Sequence, residues 1–178
     1  MTATPPADHR LSAHDPRLGP WRSFLQAHAR VARRLDDELR AEHDLSVAEY
    51  DTLLNIAEAP GRRIRMSQLA ERVVLSKSGV TRLIDRLVDD GLVERSACVS
   101  DARGAEAVLT DAGLDRLRAA SRTHLRGIED HFLAVIDPGD LPAVGSAMQA
   151  VADRAGTGPT DPGQCAPDEA TSGASSRR

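Results

Sequence analysis

With 178 residues, of which 40% are hydrophobic, the chain can bury one sizeable core but has little room for a second full domain. It contains no run of eighteen apolar residues, and its N-terminal segment MTATPPADHR has no apolar stretch, so we expect neither a membrane span nor a secretory signal but a cytoplasmic protein. The two cysteines, Cys98 and Cys165, lie far apart, which disfavours a disulfide framework. Aromatic residues make up only 2%, too few for the base-stacking platforms of proteins that bind RNA or single strands.

Both chain ends lack the features of folded segments. Residues 1–19 mix Pro, Asp, His and Gly without sustained periodicity, and residues 154–178 have almost nothing to bury, so both ends are predicted to be disordered. Between them, apolar residues recur at three- and four-residue steps from Trp21 to about Glu42. This pattern predicts a long amphipathic helix whose other face is charged.

A capping box marks the start of a second helix. Ser46 and Glu49 have the spacing at which the serine hydroxyl accepts a hydrogen bond from the backbone of the glutamate, while the glutamate side chain bonds back. The helix is predicted to begin near Val47 and to stop at the Ala-Pro-Gly sequence of residues 59–61. Ile64 is then predicted to lie in a very short strand.

Residues 66–91 have the pattern of two short helices joined by a turn at residues 74–75. Ser67 is predicted to cap the first helix and Ser76 the second. Gly91 is typical of the residue that follows a helix C-terminus.

Residues 92–96 and 105–109 then alternate as two strands around a polar tip that carries the sequence Asp-x-Arg-Gly. Two helices followed by a two-stranded ribbon form a winged helix. The second helix of such a unit fits a major groove, and the ribbon can reach a neighbouring groove. The pattern therefore favours duplex DNA as the partner.

After the ribbon, Thr110 is predicted to cap a long helix whose apolar stripe runs from Leu114 to Ile136, and residues 141–151 predict a final short helix. A domain this small can bury such a stripe only against the helix from Trp21 or against a second copy, and a homodimer is the natural solution. The predicted fold class is mostly α with a small β-hairpin wing. A winged helix-turn-helix domain, residues 46–110, is flanked by an N-terminal dimerisation helix, 20–45, and C-terminal dimerisation helices, 111–153.

Charge is distributed unevenly along the chain. Residues 61–106 carry nine basic and seven acidic side chains, a net charge of +2, whereas the whole chain carries −4. The remaining segments therefore carry −6. This asymmetry places the basic surface on the winged-helix block, where a nucleic acid would bind.

The sequence resembles the MarR family of regulators over roughly residues 21–152. The resemblance is carried, in this order, by LSVAEYDTL, by MSQLAERVVLSKSGVTRLIDRLVDDGLVER and by SDARGAEAVLTDAG. It implies a dimeric, mostly helical protein that binds a palindromic operator, usually as a repressor. It also implies that a small molecule or an oxidant releases the protein from DNA.

The resemblance places the DNA contacts at the exposed start of the second helix, where hydroxyls and cations bond to phosphates and base edges. Arg86, one turn further along, either clamps the DNA backbone or pairs within its own helix with Asp89 or Asp90. The start of the preceding helix adds two polar residues. The predicted helical contacts are Ser67, Gln68, Ser76, Lys77, Ser78, Thr81, Arg82 and Arg86.

At the wing, Arg103 matches the arginine that enters the minor groove in this family. Asp101 cannot favourably face phosphate, so we expect it to pair with Arg103 or Arg95 and to stiffen the wing. Gly104 gives the tip a flexible turn. The alternative interpretation is an ordinary solvated hairpin.

Other candidate sites are less specific. His28, Trp21, Arg30 and Arg62 are predicted to line an effector pocket between the dimer helices and the DNA-binding block, although each suits a structural role equally well. His124 and His131, with Glu129 and Asp130 nearby, lack the tight spacing of a metal site, so packed histidines are favoured and no metal is expected.

The favoured function is a ligand-responsive DNA-binding repressor whose partners are duplex DNA, a second copy and a small molecule, but no membrane. One alternative is a winged-helix module that binds proteins and no operator, which the negative net charge suggests. Another is an oxidant sensor that uses Cys98, although an ordinary thiol is favoured there. The sequence has no Gly-rich phosphate loop or nucleophile elbow, so we expect neither enzymatic activity nor a cofactor.

Overall fold

The computed structural model describes the backbone of residues 12–73, 77–98 and 101–155, and their side chains other than those of residues 77, 98 and 101–104. Within these ranges, six α-helices surround a three-stranded sheet. Their bounds are α1 Gly19–His43, α2 Val47–Glu58, β1 Arg63–Arg65, α3 Met66–Arg72, α4 Lys77–Asp89, β2 Val93–Cys98, β3 Asp101–Leu109, α5 Asp111–His131 and α6 Leu141–Ala155. Short 3-10 helices lie at Pro16–Leu18, Pro60–Arg62 and Leu133–Val135. No described helix is long and apolar enough to cross a membrane.

The sheet is antiparallel, and β3 lies at its centre between β1 and β2. The short strand predicted at Ile64 is confirmed, with Ile64 paired to Ala107. The ribbon is longer than predicted, because β2 reaches Cys98 and β3 begins at Asp101. Apolar alternation marks only the part of a ribbon that packs on the core, whereas backbone pairing continues beyond it.

The core lies inside the winged helix and is closed by α5. Helices α2, α3 and α4 bury leucine and isoleucine side chains against the sheet, and Leu117 and Ala120 of α5 pack on the same cluster. The residues of this cluster with no exposed surface are Leu39, Leu53, Ile56, Leu69, Ile84, Leu87, Ala107 and Ala120. Burial of this apolar surface fixes which face of each helix points outward.

Three local signals are confirmed. Ser46 accepts from the backbone N–H of Glu49 at 3.2 Å, and a Glu49 carboxylate oxygen accepts from the Ser46 N–H at 2.8 Å. Thr110 caps α5 by accepting from the Gly113 N–H at 2.9 Å. Gly91 has a φ of +69°, the left-handed conformation that ends a helix most easily at glycine.

Two predicted helix boundaries are wrong. Ser67 does not cap α3, because the helix begins at Met66. The preceding Arg65 is still paired in the sheet and occupies the cap position, where its side chain does not cap the helix. Helix α5 ends at His131, and the chain tightens into a 3-10 helix rather than continuing to Ile136. The three-residue step from Phe132 to Val135 suits both kinds of helix, so the sequence did not separate them.

The N-terminal segment predicted to be disordered contains regular structure at its end. The Asp15 side chain accepts from the Arg17 N–H at 2.9 Å and caps the 3-10 helix Pro16–Leu18. Proline at the first position has a φ already suited to the turn. Residues 1–11 and 156–178 lie outside the described part of the chain, so the rest of the predicted disorder stays a prediction.

Helix α1 has two unlike halves. Its C-terminal half buries Leu35 and Leu39 and is bonded to α5, where Glu38 lies 2.6 Å from the His131 ring and Glu42 2.6 Å from Arg126. Its N-terminal half is exposed at every position from 20 to 30. The first half of α1 therefore has no covering element within the described chain.

Candidate nucleic-acid interface

Helix α4 presents a polar face away from the core. Val80, Leu83 and Ile84 are buried, so the helical repeat turns the intervening positions outward. The exposed side chains Ser78, Thr81 and Arg82 are spaced at three and four residues and share one face. The structure thus brings three of the predicted DNA contacts together. Ser76 and the side chain of Lys77 lie outside the described residues.

The preceding helix contributes less surface than predicted. On α3, Ser67 is exposed and Gln68 is half-buried. Helix α3 packs against α4 and against the sheet. Ser67 therefore lies on the surface of the two-helix unit.

Arg86 has a partner that the sequence interpretation did not anticipate. Its guanidinium lies 3.4 Å from a Glu49 carboxylate oxygen on α2, rather than pairing with Asp89 or Asp90. The other Glu49 oxygen accepts from the Ser46 N–H and hydroxyl at 2.8 Å and 2.7 Å. One buried carboxylate therefore caps α2 and holds the recognition helix α4. The capping box was visible in the sequence, but it does not indicate which cation lies beside the second oxygen of its glutamate.

Arg95 ties the base of the wing to α4. Its guanidinium lies 2.7 Å from the Asp85 carboxylate and donates to the Thr81 carbonyl at 3.4 Å. Arg95 was one of the two predicted partners of Asp101, but its described partner is Asp85. The side chains of Cys98, Asp101 and Arg103 are not among those described, so their predicted roles stay predictions. Gly104, predicted to give the wing tip a flexible turn, lies instead within strand β3.

A cross-strand ion pair in the sheet was missed. Arg63 on β1 lies 3.6 Å from Glu106 on β3, whose side chain is almost fully buried. Residues 63 and 65 share one face of their strand, as do 106 and 108 on the partner. The pair could be found only from the strand register, which the sequence does not specify.

The structure does not bring the predicted effector-pocket residues together. Trp21, His28 and Arg30 lie on the exposed half of α1, where the Trp21 and His28 rings flank Phe24 at centroid distances of 5.9 and 6.1 Å. Arg62 instead lies 3.3 Å from Asp111 at the start of α5. Its left-handed backbone, with a φ of +55°, follows the Pro-Gly turn.

The histidines of α5 contact different partners. His131 bonds to Glu38 at 2.6 Å, whereas the His124 ring packs on Tyr50 with centroids 4.4 Å apart. The buried Nδ1 of His124 has no hydrogen-bond partner among the described residues. Burial lowers the pKa of His124, an effect that nearby Asp51 partly offsets, and burial raises the pKa of Asp51.

A cavity of about 520 Å³ lies between α1, α2 and α3. Its polar lining is Asp36, Asp51, Asn55 and Arg72, and its apolar lining is Ala32, Val47, Ala48 and Val73. Sequence reasoning missed it because the lining comes from three separate segments whose mutual packing has no local signature. The cavity lies between α1 and the winged-helix block, but none of the four residues predicted to line an effector pocket lines it.

The helix pair, the outward face of α4 and the anchored ribbon define a winged helix-turn-helix protein. The model of the MarR family matches residues 43–104. AbsC, a MarR family transcriptional regulator from Streptomyces coelicolor, is 32% identical, with a TM-score of 0.75 over 82% of this chain and 98% of that one. This chain therefore belongs to the MarR family of transcriptional regulators, which confirms the resemblance and the predicted fold class.

Two further structures are similar to this chain and contain DNA. Sco3205, a MarR family regulator from the same organism in complex with DNA, is 30% identical, with a TM-score of 0.74 over 83% of this chain and 94% of that one. A mutant MarR from E. coli, complexed with operator DNA, is 22% identical, with a TM-score of 0.67 over 76% of this chain and 94% of that one. The second likeness shows a shared fold alone.

Proposed function

We propose that this protein is a repressor that binds a palindromic operator in duplex DNA as a homodimer and is released by a small-molecule effector. The observation that carries the proposal is the exposed face of α4, where Ser78, Thr81 and Arg82 stand opposite the buried stripe. Hydroxyls and a guanidinium on one helix face suit base edges and phosphates in a major groove. The DNA complex of Sco3205 supports the same use of the fold.

Exposed apolar side chains support the homodimer. Trp21, Phe24 and Leu25 on α1 are 40–53% exposed, and Phe132, Leu133 and Val135 after α5 are 39–72% exposed. Two-fold association would bury such patches against each other. Sedimentation of the full chain should give the mass of two copies, and Leu25→Glu should shift it toward one. A wild-type protein that sediments as a monomer while bound to operator DNA would contradict this part of the proposal.

Operator binding is tested by measuring operator affinity at increasing salt concentration for the wild type, Arg82→Ala and Arg103→Ala. Each phosphate contact contributes about −0.9 to the slope of log affinity against log salt, and a lost bidentate base contact costs about 1–3 kcal/mol. The control is Arg118→Ala, an exposed arginine on α5 that pairs with Asp115 at 3.3 Å. Half-sites about 10 bp apart should appear in a footprint. If both variants bind the operator as tightly as the control, α4 and the wing do not form the interface.

Operator affinity also separates the alternative functions. A protein-interaction module would bind DNA weakly, with no dependence on Arg82. An oxidant sensor would lose operator affinity on peroxide treatment, and Cys98→Ser would abolish that loss. We expect a small molecule to release the protein from the operator without any oxidant. Cys98→Ser should respond as the wild type does.

A further inference from the structure

The cavity between α1, α2 and α3 holds a carboxylate without a partner among the described residues. Asp51 lies half-buried on its wall, and its carboxylate makes no hydrogen bond or ion pair with any described residue. Asp36, the other acid of the lining, is already neutralised by Arg40 at 2.6 Å and accepts from the Val47 N–H at 2.9 Å. Asp51 is therefore the acid whose charge remains available inside the cavity.

The surroundings of Asp51 favour a positive ligand. Burial disfavours the charged form of Asp51 and raises its pKa, and burial likewise disfavours the charged form of the neighbouring His124 and lowers its pKa. Arg72 also lines the cavity, but it is exposed at the last position of α3, where solvent screens its charge. The remaining walls are alanine and valine side chains with the Asn55 amide.

We infer that this cavity binds a small organic cation, an amine or quaternary ammonium group on a compact apolar body, with Asp51 as its counter-ion. The apolar body packs on Ala32, Val47 and Val73. A positive group next to Asp51 replaces the solvation that the carboxylate lost on burial. This inference deepens the proposed function, on which its regulatory part rests, because it gives the effector a chemical class.

The first turn of α2 connects this cavity to the recognition helix. Ala48 lines the cation cavity on one side, and on the other it lines a second cavity, of about 610 Å³, with Arg82, Leu83 and Arg86 of α4. The same turn is held to α1 by the bond from Val47 to Asp36 and to α4 by Glu49 and Arg86. We therefore expect a cation bound between α1 and α2 to change how the first turn of α2 holds α4, and so to weaken the DNA complex.

The binding test compares three probes of similar shape on the full-length protein by NMR titration: benzyltrimethylammonium, neutral benzyl alcohol and anionic phenylacetate. The variant is Asp51→Asn, which keeps the shape and removes the charge. The matched control is Asp37→Asn, an exposed α1 carboxylate outside the cavity. The wild type and the control should bind the cation at least about tenfold more tightly than the other probes, the size expected for one charge-assisted contact.

Asp51→Asn should lose that preference while unfolding at the same or a higher temperature, because the Asp51 carboxylate makes no hydrogen bond or ion pair with the described part of the chain. Equal binding of the cation by Asp51→Asn and the wild type, or no binding at millimolar concentration, would overturn the inference. Operator release is measured separately by gel shift. If the cation binds through Asp51 but does not weaken the DNA complex, its regulatory part is wrong. If the protein binds no operator at all, the proposed function fails, while the NMR titration still decides the cation site.

Discussion

Replacing Gly113 by alanine should disconnect the wing from α5. Gly113 is buried in the first turn of α5, and an added Cβ would overlap the carbonyl oxygen of Leu92 and lie 2.8 Å from Leu109 Cδ1. That carbonyl accepts from the Thr110 N–H at 3.2 Å and from its hydroxyl at 3.1 Å. Because the obstacle is backbone, the clash can be relieved only by moving α5 away from the start of the ribbon.

The magnitude follows from opposing effects. Alanine gains about 1 kcal/mol over glycine in a helix, whereas overpacking costs about 1–3 kcal/mol and each weakened hydrogen bond about 1 kcal/mol. With both hydrogen bonds to the Leu92 carbonyl weakened, we expect Gly113→Ala to lower the free energy of unfolding by about 2–4 kcal/mol. Gly145→Ala on α6, where an added Cβ meets nothing within 4 Å, should instead gain up to about 1 kcal/mol.

The assay is urea unfolding of both variants at one protein concentration, followed by circular dichroism. A third variant, Gly127→Ala, places its Cβ 2.6 Å from Leu35 Cδ2 and Glu38 Oε2, which are ends of side chains that can move, so its cost should lie between the other two. If Gly113→Ala unfolds at the same urea concentration as the wild type or a higher one, the close packing of α5 on the Leu92 carbonyl does not constrain the fold.

Three other outcomes follow from described contacts. Thr110→Ala should cost about 1 kcal/mol in urea unfolding through loss of the α5 cap, and an unchanged midpoint would exclude that role. A double-mutant cycle on Asp85→Ala and Arg95→Ala should give a coupling of about 0.2–1 kcal/mol because the pair is partly exposed, and strict additivity would show that the two side chains do not interact. Since burial lowers the pKa of His124, the unfolded chain takes up that proton first, so stability falls as pH decreases below about 6.5. His124→Phe should flatten this dependence in thermal unfolding from pH 7 to pH 5; an unchanged slope would assign it to other groups.

Signals confined to a few neighbouring residues were predictable from the sequence. The cap at Ser46, the cap at Thr110 and the helix end at Gly91 each depend on hydrogen bonds or backbone angles within about one turn. The inward face of α4 followed from its apolar repeat, which also fixed the outward face carrying Thr81 and Arg82. Local chemistry and periodicity therefore located most of the candidate interface.

Partners distant in sequence were not predictable. A helical repeat shows that Arg86 points away from the core, but it does not show that Glu49 of another helix lies beside it. Likewise, alternation marks Arg95 as exposed without revealing that Asp85 lies across the gap between strand and helix. The cation cavity belongs to the same class, since its walls depend on how three helices pack.

The exposed half of α1 carries an intrinsic fluorescent probe, the side chain of Trp21. Trp21 is the only tryptophan in the chain, and its side chain is 53% exposed beside the Phe24 ring. An isolated stretch of about a dozen residues is a marginal helix in water, so this half of α1 gains order when a surface covers it. The emission wavelength of Trp21 can therefore report whether a surface covers this half of α1, without an added label. Because the chain has no second tryptophan, the signal contains no contribution from an indole in the core.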